Sequence, residues 1–461
     1  MENSAANCFL VGILFSLIGC STYQPKPLTD PSSNQQDALT VEQLNIQAGH
    51  IKHPYLQPIP FNIKDGLSPD EAAILAVLRN PELHAARDKH GVANAQLLQA
   101  GLLPNPRLSY NFAAPSGGLD SGKVNGYGLA LEWEITSLIT QANKIAGATL
   151  EQQAVDLQIA WQEWQIAQAA KTAVYRLVVY SKQQALLEEI GQRLEENRLR
   201  LQQAADLGLV TELDRVAAVT AKNAVDVRLQ AIIQLKNQHQ QRLNRALGLK
   251  PYDVVNLQQA IELTDSIFLP GYDDFVKNLS NRRLDLLALQ QGYQNQEEQL
   301  HIAVLQQFPK ISIGFTQSKN NSNYYTVGAG IAVSLPIFDQ NQGAIALASA
   351  TRQQLFDEYS NRVFQAKADI AELLVTIASL NQQVAAVNHA IPDLETLVNS
   401  YKAAIEHGQI DVLNYYNAWN NWTDKRVELL TLQLQLVEAR IALEIATGMF
   451  HLPAGLSKGT R

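Results

Sequence analysis

Few residues in this chain have the types and spacing that chemistry requires. Its 461 residues include nine histidines and two cysteines, Cys8 and Cys20, so no thiol lies beyond position 20. A disulfide framework or a cysteine-based metal site in the body is excluded. His50 and His53 are three apart, but in a stretch rich in Pro, Gln, Ser and Asn. His84 and His90 are six apart, a spacing that one helix face does not serve. No metal set is read from them, and no cofactor is called for. No glycine-rich phosphate loop or nucleophile–base pair stands out, so the chain does not read as an enzyme. What remains is a set of carboxylates, Asp206, Glu212, Asp214, Glu406 and Asp411. Repeated around a symmetry axis, an inward carboxylate becomes a ring that favours cations in a pore. The bland alternative is solvated helix-end charge, with Glu212 and Asp411 complementing helix N-termini. Trp161 and Trp164, like Trp419 and Trp422, are three apart on helices and read as packing knobs rather than stacking platforms.

Those carboxylates flank two glycine turns, Leu207-Gly208-Leu209-Val210-Thr211 and His407-Gly408-Gln409-Ile410-Asp411. Long helices must hold the turns. Residues 142–207 contain no proline; as one helix they extend ~100 Å. Thr211 is the expected N-cap of a helix over 211–248, stopped by Gly248 and Pro251. Helices follow over 282–307, 343–406 and 411–448, with Pro392 expected to bend the fourth of these five. By length, 211–248 and 282–307 stacked end to end match 142–207. Upstream, Ser68-Pro69-Asp70-Glu71 opens a helix over 69–103 that ends at Pro104-Asn105-Pro106. Such lengths indicate coiled-coil or tubular packing.

Between helices, the period changes to two. Leu108, Tyr110 and Phe112 share a face, as do Tyr127, Leu129, Leu131 and Trp133. In the second half Ile311, Ile313 and Phe315 oppose Ser312, Gly314 and Thr316. Val327, Ala329, Ile331, Val333 and Leu335 oppose Thr326, Gly328, Gly330, Ala332 and Ser334. These read as two hairpins. They fit transmembrane barrel strands, or amphipathic hairpins on a soluble core; the helix lengths favour the first. Four strands cannot close a barrel, which takes about eight, so membrane strands would have to be shared between copies.

A length prior of about three domains gives way to an internal repeat. Sliding the chain by 203 residues pairs Arg79 with Arg282, Leu83 with Leu286, Pro106 with Pro309 and Phe112 with Phe315. A shift of 200 pairs Gly208 with Gly408, Leu213 with Leu413, Ala246 with Ala446 and Gly248 with Gly448. Two copies of one unit cover 67–250 and 282–450, with a connector over 251–281 and a tail over 451–461. The formal charge of −8, with 17% charged residues, argues against nucleic acid, and no internal apolar run long enough to cross a bilayer as a helix is evident.

The N-terminus carries an address. Phe9 to Gly19 is a short apolar run ending at Leu17-Ile18-Gly19-Cys20, which resembles a bacterial lipobox with Cys20 as the acylation point. Met1 to Asn7 has no basic residue, a departure from the usual signal. Residues 1–19 are expected to be the signal, and 20–66 an extended tether.

The order of elements over 67–450 resembles the TolC family of outer-membrane efflux channels. Ser334-Leu335-Pro336-Ile337-Phe338-Asp339-Gln340-Asn341-Gln342-Gly343 is similar to the family's strand-to-helix crossing, in particular its heavy-metal branch. The equivalent Glu132-Trp133-Glu134-Ile135-Thr136 lacks the proline. The resemblance implies a mainly α fold with a membrane β-barrel. Three copies would share twelve strands in the outer membrane, four from each chain, above a periplasmic helical tube. It implies that the turns at 207–211 and 407–411 meet a membrane-fusion adaptor and an inner-membrane pump of the resistance-nodulation-division type. The expected role is passive export, of heavy-metal cations by branch resemblance. Drug efflux and type I protein secretion are alternatives within the class; a periplasmic coiled-coil lipoprotein or adaptor is the alternative outside it.

Overall fold

The computed structural model describes residues 22–28, 41–57, 59–62, 65–118, 122–258, 261–264, 266–267, 269–406 and 412–449. Cys20 and the turn His407–Asp411 lie outside the described residues. The chain divides into two units, Met1–Gln43 and Leu44–Arg461. In the first, residues 22–28 have no regular secondary structure and are exposed.

Helix α1 (Val41–Gly49) spans the division. After it come α2 (Pro69–Arg79), α3 (Pro81–Gly101), β1 (Arg107–Ala113), β2 (Gly126–Glu134), α4 (Gln141–Asp206) and α5 (Glu212–Ala246). The connector holds α6 (Tyr272–Val276), and the second repeat holds α7 (Leu284–Leu305), β3 (Ile311–Lys319), β4 (Tyr325–Val333), α8 (Gln342–Glu406) and α9 (Val412–Thr447). The long helices and the four strands stand where the patterns put them. α8 runs as one helix through Pro392.

The helix expected over 69–103 is two helices. Pro81 disfavours helical backbone at the residue before it, and Asn80 is extended (φ −62°, ψ 122°). Asn80 then serves both pieces. Its N–H donates to Ala76 O and ends α2. Its Oδ1 accepts from Glu82 N at 2.9 Å and opens α3. At the start of α2 the expected cap is a full capping box: Ser68 Oγ accepts from Glu71 N at 3.2 Å, and Ser68 N donates to Glu71 Oε2 at 2.8 Å.

The end-to-end stacking also differs from expectation. α5 stacks on α3, and α9 on α7, each within its own repeat. Asn80 Nδ2 donates to Ala246 O at 3.0 Å, closing the C-terminus of α5 against the start of α3. Arg283 Nη1 donates to Ala446 O at 3.2 Å and does the same for α9 and α7. Gly248 (φ +63°) and Gly448 (φ +65°) end the two helices in left-handed backbone. A Cβ on Gly248 would stand 2.4 Å from Arg79 O, so the junction leaves no room for a side chain. α4 is packed by α2, α3, α5, α7 and α9; α8 packs on α7 and α9.

Apolar cores hold this layer. Ala170, Val174 and Leu177 of α4 meet Ala72, Ala76 and Leu243. Leu187, Ile190 and Leu194 meet Val225, Tyr416 and Trp419. Ile370, Ile377 and Val384 of α8 meet Leu436 and Leu443 of α9. By composition alone α8 does include an 18-residue stretch apolar enough to cross a membrane, a correction to the sequence reading. Ile370, Ile377, Leu380, Val384 and Val387 of α8 face the α8–α9 core, while Val375 is exposed.

Where an extended tether was expected, residues 44–62 pack against the helices. Leu44, Leu56 and Phe61 are buried. His53 Nε2 is 2.8 Å from Ala160 O, and its Nδ1 accepts from Tyr55 N and Leu56 N, both at 3.0 Å. The hydroxyl of Tyr55 donates to Arg282 O, and its ring meets Trp164 edge-on at 5.7 Å. Pro, Gln and Asn lower the apparent hydrophobicity of a segment in which Leu44, Leu56 and Phe61 are nonetheless buried, while Ile46 stays exposed.

Candidate functional site

Two surfaces lie at opposite ends of α4: the sheet and the α4–α5 turn. The sheet is antiparallel, ordered β1-β2-β3-β4, with β1 and β4 as open edges among the described residues. Its register lines residues up in rows. Leu108, Leu131, Phe315 and Ala329 form one row; Tyr110, Leu129, Gln317 and Val327 form the next. Trp133, Ile313 and Ile331 lie nearer the helices, while Phe112, Tyr127, Lys319 and Tyr325 form the outermost row. The reverse face carries Ser109, Asn111, Gly128, Ala130, Ser312, Gly314, Thr316, Gly328 and Gly330. Phe315, Val327 and Ile331 are exposed. β2, β3 and β4, of nine residues each, match the ~9–11 of a transmembrane strand, while β1 has seven. At the helical end, Trp133 Nε1 donates to Pro104 O at 2.8 Å. The apolar alternation predicts β3 only as far as Thr316; the ladder continues to Lys319.

The crossing from β4 to α8 is irregular and exposes Leu335, Ile337 and Phe338. Asn341 takes left-handed backbone (φ +60°), and its Nδ2 donates to Ala303 O at 2.8 Å, tying the crossing to α7. At the first crossing, Glu134 Oε1 accepts from Ser137 N at 2.9 Å instead.

At the other end, Gly208 (φ +72°) makes the α4–α5 turn, and a Cβ placed on it would meet nothing within 4 Å. Its conformation needs glycine, yet the space in front of it is open. Leu207 and Leu209 are each 74% exposed, and Leu213 is exposed beside them. Val210 is half-buried. Thr211 caps α5: its Oγ1 accepts from Asp214 N at 3.2 Å, and Thr211 N donates to Asp214 Oδ2 at 3.0 Å.

The candidate carboxylates here are locally engaged. Asp206 accepts from Gln202 Nε2 at 2.9 Å. Asp214 is committed to the cap. Glu212 pairs with Arg215, whose guanidinium donates at 2.8 Å and holds the carboxyl below its usual pKa. Each of these three carboxylates is held at a helix end by a neighbouring side chain or cap. The side chains of Glu406 and Asp411 lie outside the described residues.

Trp419 and Trp422 are buried with Tyr415 and Tyr416, the knobs expected. Asn197 Nδ2 donates to Tyr416 Oη at 3.1 Å, and burial pushes this phenol up to about 12. Trp164 is buried; the half-buried Trp161 has Arg283 above its ring at 5.2 Å. His90 pairs with Asp156 at 2.5 Å, and His239 stacks on Tyr180 at 5.2 Å. Among the described residues, no group of three or more His, Cys, Asp or Glu is arranged to hold a metal.

The Asn80 and Arg283 junctions go beyond what the sequence reading found. The signal was present: a shift of 203 puts Asn80 on Arg283, each facing the alanine that a shift of 200 equates.

The resemblance holds against known proteins. Residues 275–449 match the family described as outer membrane efflux protein. The cation efflux system protein CusC of Escherichia coli (strain K12) is 26% identical over 151 residues, 31% of this chain and 33% of that protein. The chain thus aligns with about a third of the length of that curated relative. In fold, a crystal structure of CusC gives a TM-score of 0.71 at 18% identity, covering 87% of this chain and 98% of that one. The outer membrane protein VceC from Vibrio cholerae gives 0.70 at 18% identity, covering 83% and 97%.

Proposed function

We propose, for a chain whose second repeat is that of an outer membrane efflux protein, that it is the outer-membrane conduit of a tripartite efflux system. Three copies close a twelve-stranded barrel above a helical tube, and the conduit exports passively what a pump delivers. One observation carries this reading: a sheet with one mainly apolar face and, among the described residues, two open edges. In water such a face and such edges are an aggregation site. Lipid satisfies the face, and β4 of one copy paired with β1 of the next satisfies the edges. The helices carry a matching open flank. Phe364 and Val375 of α8 are exposed on the side turned away from Ile370, Ile377 and Val384.

Heavy-metal cations are the proposed cargo, by likeness to a protein named for cation efflux. Deleting the gene should raise susceptibility to zinc, cobalt, cadmium or copper and leave drug susceptibility unchanged. A change confined to drugs would move the cargo to the drug-efflux alternative. The lipid anchor is assigned to Cys20, and Cys20→Ser should abolish acyl labelling; unchanged labelling would refute it.

The tips are the proposed docking points for a periplasmic adaptor of an inner-membrane pump. At 207–211 the exposed leucines offer apolar contact and Gly208 lets a partner reach the backbone. A bulky Gly208→Gln should lower cross-linking to the adaptor severalfold while assembly survives. Undiminished cross-linking would end this assignment. The turn strain, roughly 1–2 kcal/mol, is confined to the tip.

A further inference from the structure

Among the described residues, the apolar face of the sheet carries a single cation, and it sits in the outermost row. Phe112, Tyr127, Lys319 and Tyr325 are in register across all four strands, farthest from the helices. Lys319 Nζ is 5.4 Å from the Tyr325 ring centroid, so the two side chains share that face. Beside this row, Lys123 Nζ donates to Ser322 Oγ at 3.1 Å, and Val124 N donates to Asn321 O at 3.0 Å. The β1–β2 loop thus brings a second ammonium to the β3–β4 turn. No Asp or Glu occurs between Ile311 and Val333; Glu132 and Glu134 are at the other end of β2, and Asp120 lies outside the described residues.

We infer that this row seats the phosphate of a lipid headgroup in the outer leaflet, with Lys319 as its principal contact and Lys123 as a second. The inference rests on the membrane reading of the sheet. A lysine on a lipid-facing strand is costly near the bilayer centre and tolerated near the interface. There its ammonium extends into the headgroup layer while its methylenes stay on apolar surface. Tyrosines at that depth form the interfacial aromatic belt, with rings in acyl chain and hydroxyls in headgroup. The partner is therefore both amphiphilic and anionic. Free phosphate answers the charge but not the aromatic row; a zwitterionic lipid answers the aromatics but supplies no net charge. Threefold repetition would place six ammonium groups around the rim.

The test uses the purified oligomer in vesicles of phosphatidylcholine, with or without bisphosphorylated lipid A, and native mass spectrometry to count retained lipid A. Wild type and Lys319→Arg should retain it about equally. Lys319→Ala should retain about fivefold less, as expected for one interfacial cation. Removing the phosphates from lipid A should produce at least as large a loss with wild type, since it also removes the Lys123 contact. Millimolar inorganic phosphate should not displace the lipid. Equal retention by wild type and Lys319→Ala, both inserted, would overturn the inference and leave the membrane reading intact. Full displacement by inorganic phosphate would overturn the lipid as ligand. Failure of wild type to insert in either vesicle would overturn both.

Discussion

At the scale of single residues, the structure gives its ionisable and polar groups local work. Among the described residues, the tip carboxylates Asp206, Glu212 and Asp214 cap a helix or pair with a neighbour, and His53 holds the N-terminal segment. As a neutral ring, His53 accepts two backbone N–H groups on Nδ1 and faces Ala160 O with Nε2. Burial lowers its pKa from the ordinary 6.5. The unfolded segment therefore binds the proton more readily than the folded one. The contribution to stability is complete above about pH 6.5 and is lost as pH falls towards the folded pKa. Protection of the Tyr55 and Leu56 amides from hydrogen exchange should fall on acidification from pH 7.5 to 5. In His53→Gln that pH dependence should vanish. Protection in wild type that does not change with pH would contradict this role.

At the scale of elements, the two junctions solve one problem in two ways. Both must satisfy the last carbonyls of one helix against the first turn of another. Asn80 does so with a neutral amide. Arg283 does so with a charge that is itself buried, paired to Asp285 at 2.7 Å. Arg362 is 3.8 Å from the same carboxylate. Arg283→Ala should cost about 3 kcal/mol, since it strands a buried carboxylate that Arg362 only partly compensates. Arg283→Ala with Asp285→Ala should cost less than the single change. Denaturant midpoints of the assembled protein measure both; a double variant less stable than Arg283→Ala would contradict the account. Elements of this kind are unevenly legible in sequence. The long helices and the strands declare themselves by period and, apart from Pro392 in α8, by missing prolines. The stacking partners do not, because helix lengths alone fit α5 on α7 nearly as well as α5 on α3. Only the contacts of Asn80 and Arg283 decide between them. The break at Asn80 is legible in Pro81, through its effect on the preceding residue. The packed 44–62 segment is not, since isolated apolar residues in polar sequence carry no period.

At the scale of the whole molecule, the chain is open wherever a further copy would complete it. Among the described residues β1 and β4 lack outer partners, and the flank of α8 displays Phe364 and Val375. The sheet's apolar face and its face of small and polar residues are distinct along the full ladder. A bilayer outside and water inside suit that division. A sheet of this kind needs no apolar helix to span a bilayer. In the proposed conduit the spanning surface is divided among strands, and among chains. The most direct measurement is the mass of the protein, by light scattering, after gentle detergent extraction from outer membranes. The account predicts three protomers in the membrane extract; a single protomer, recovered in the soluble periplasmic fraction, would contradict it.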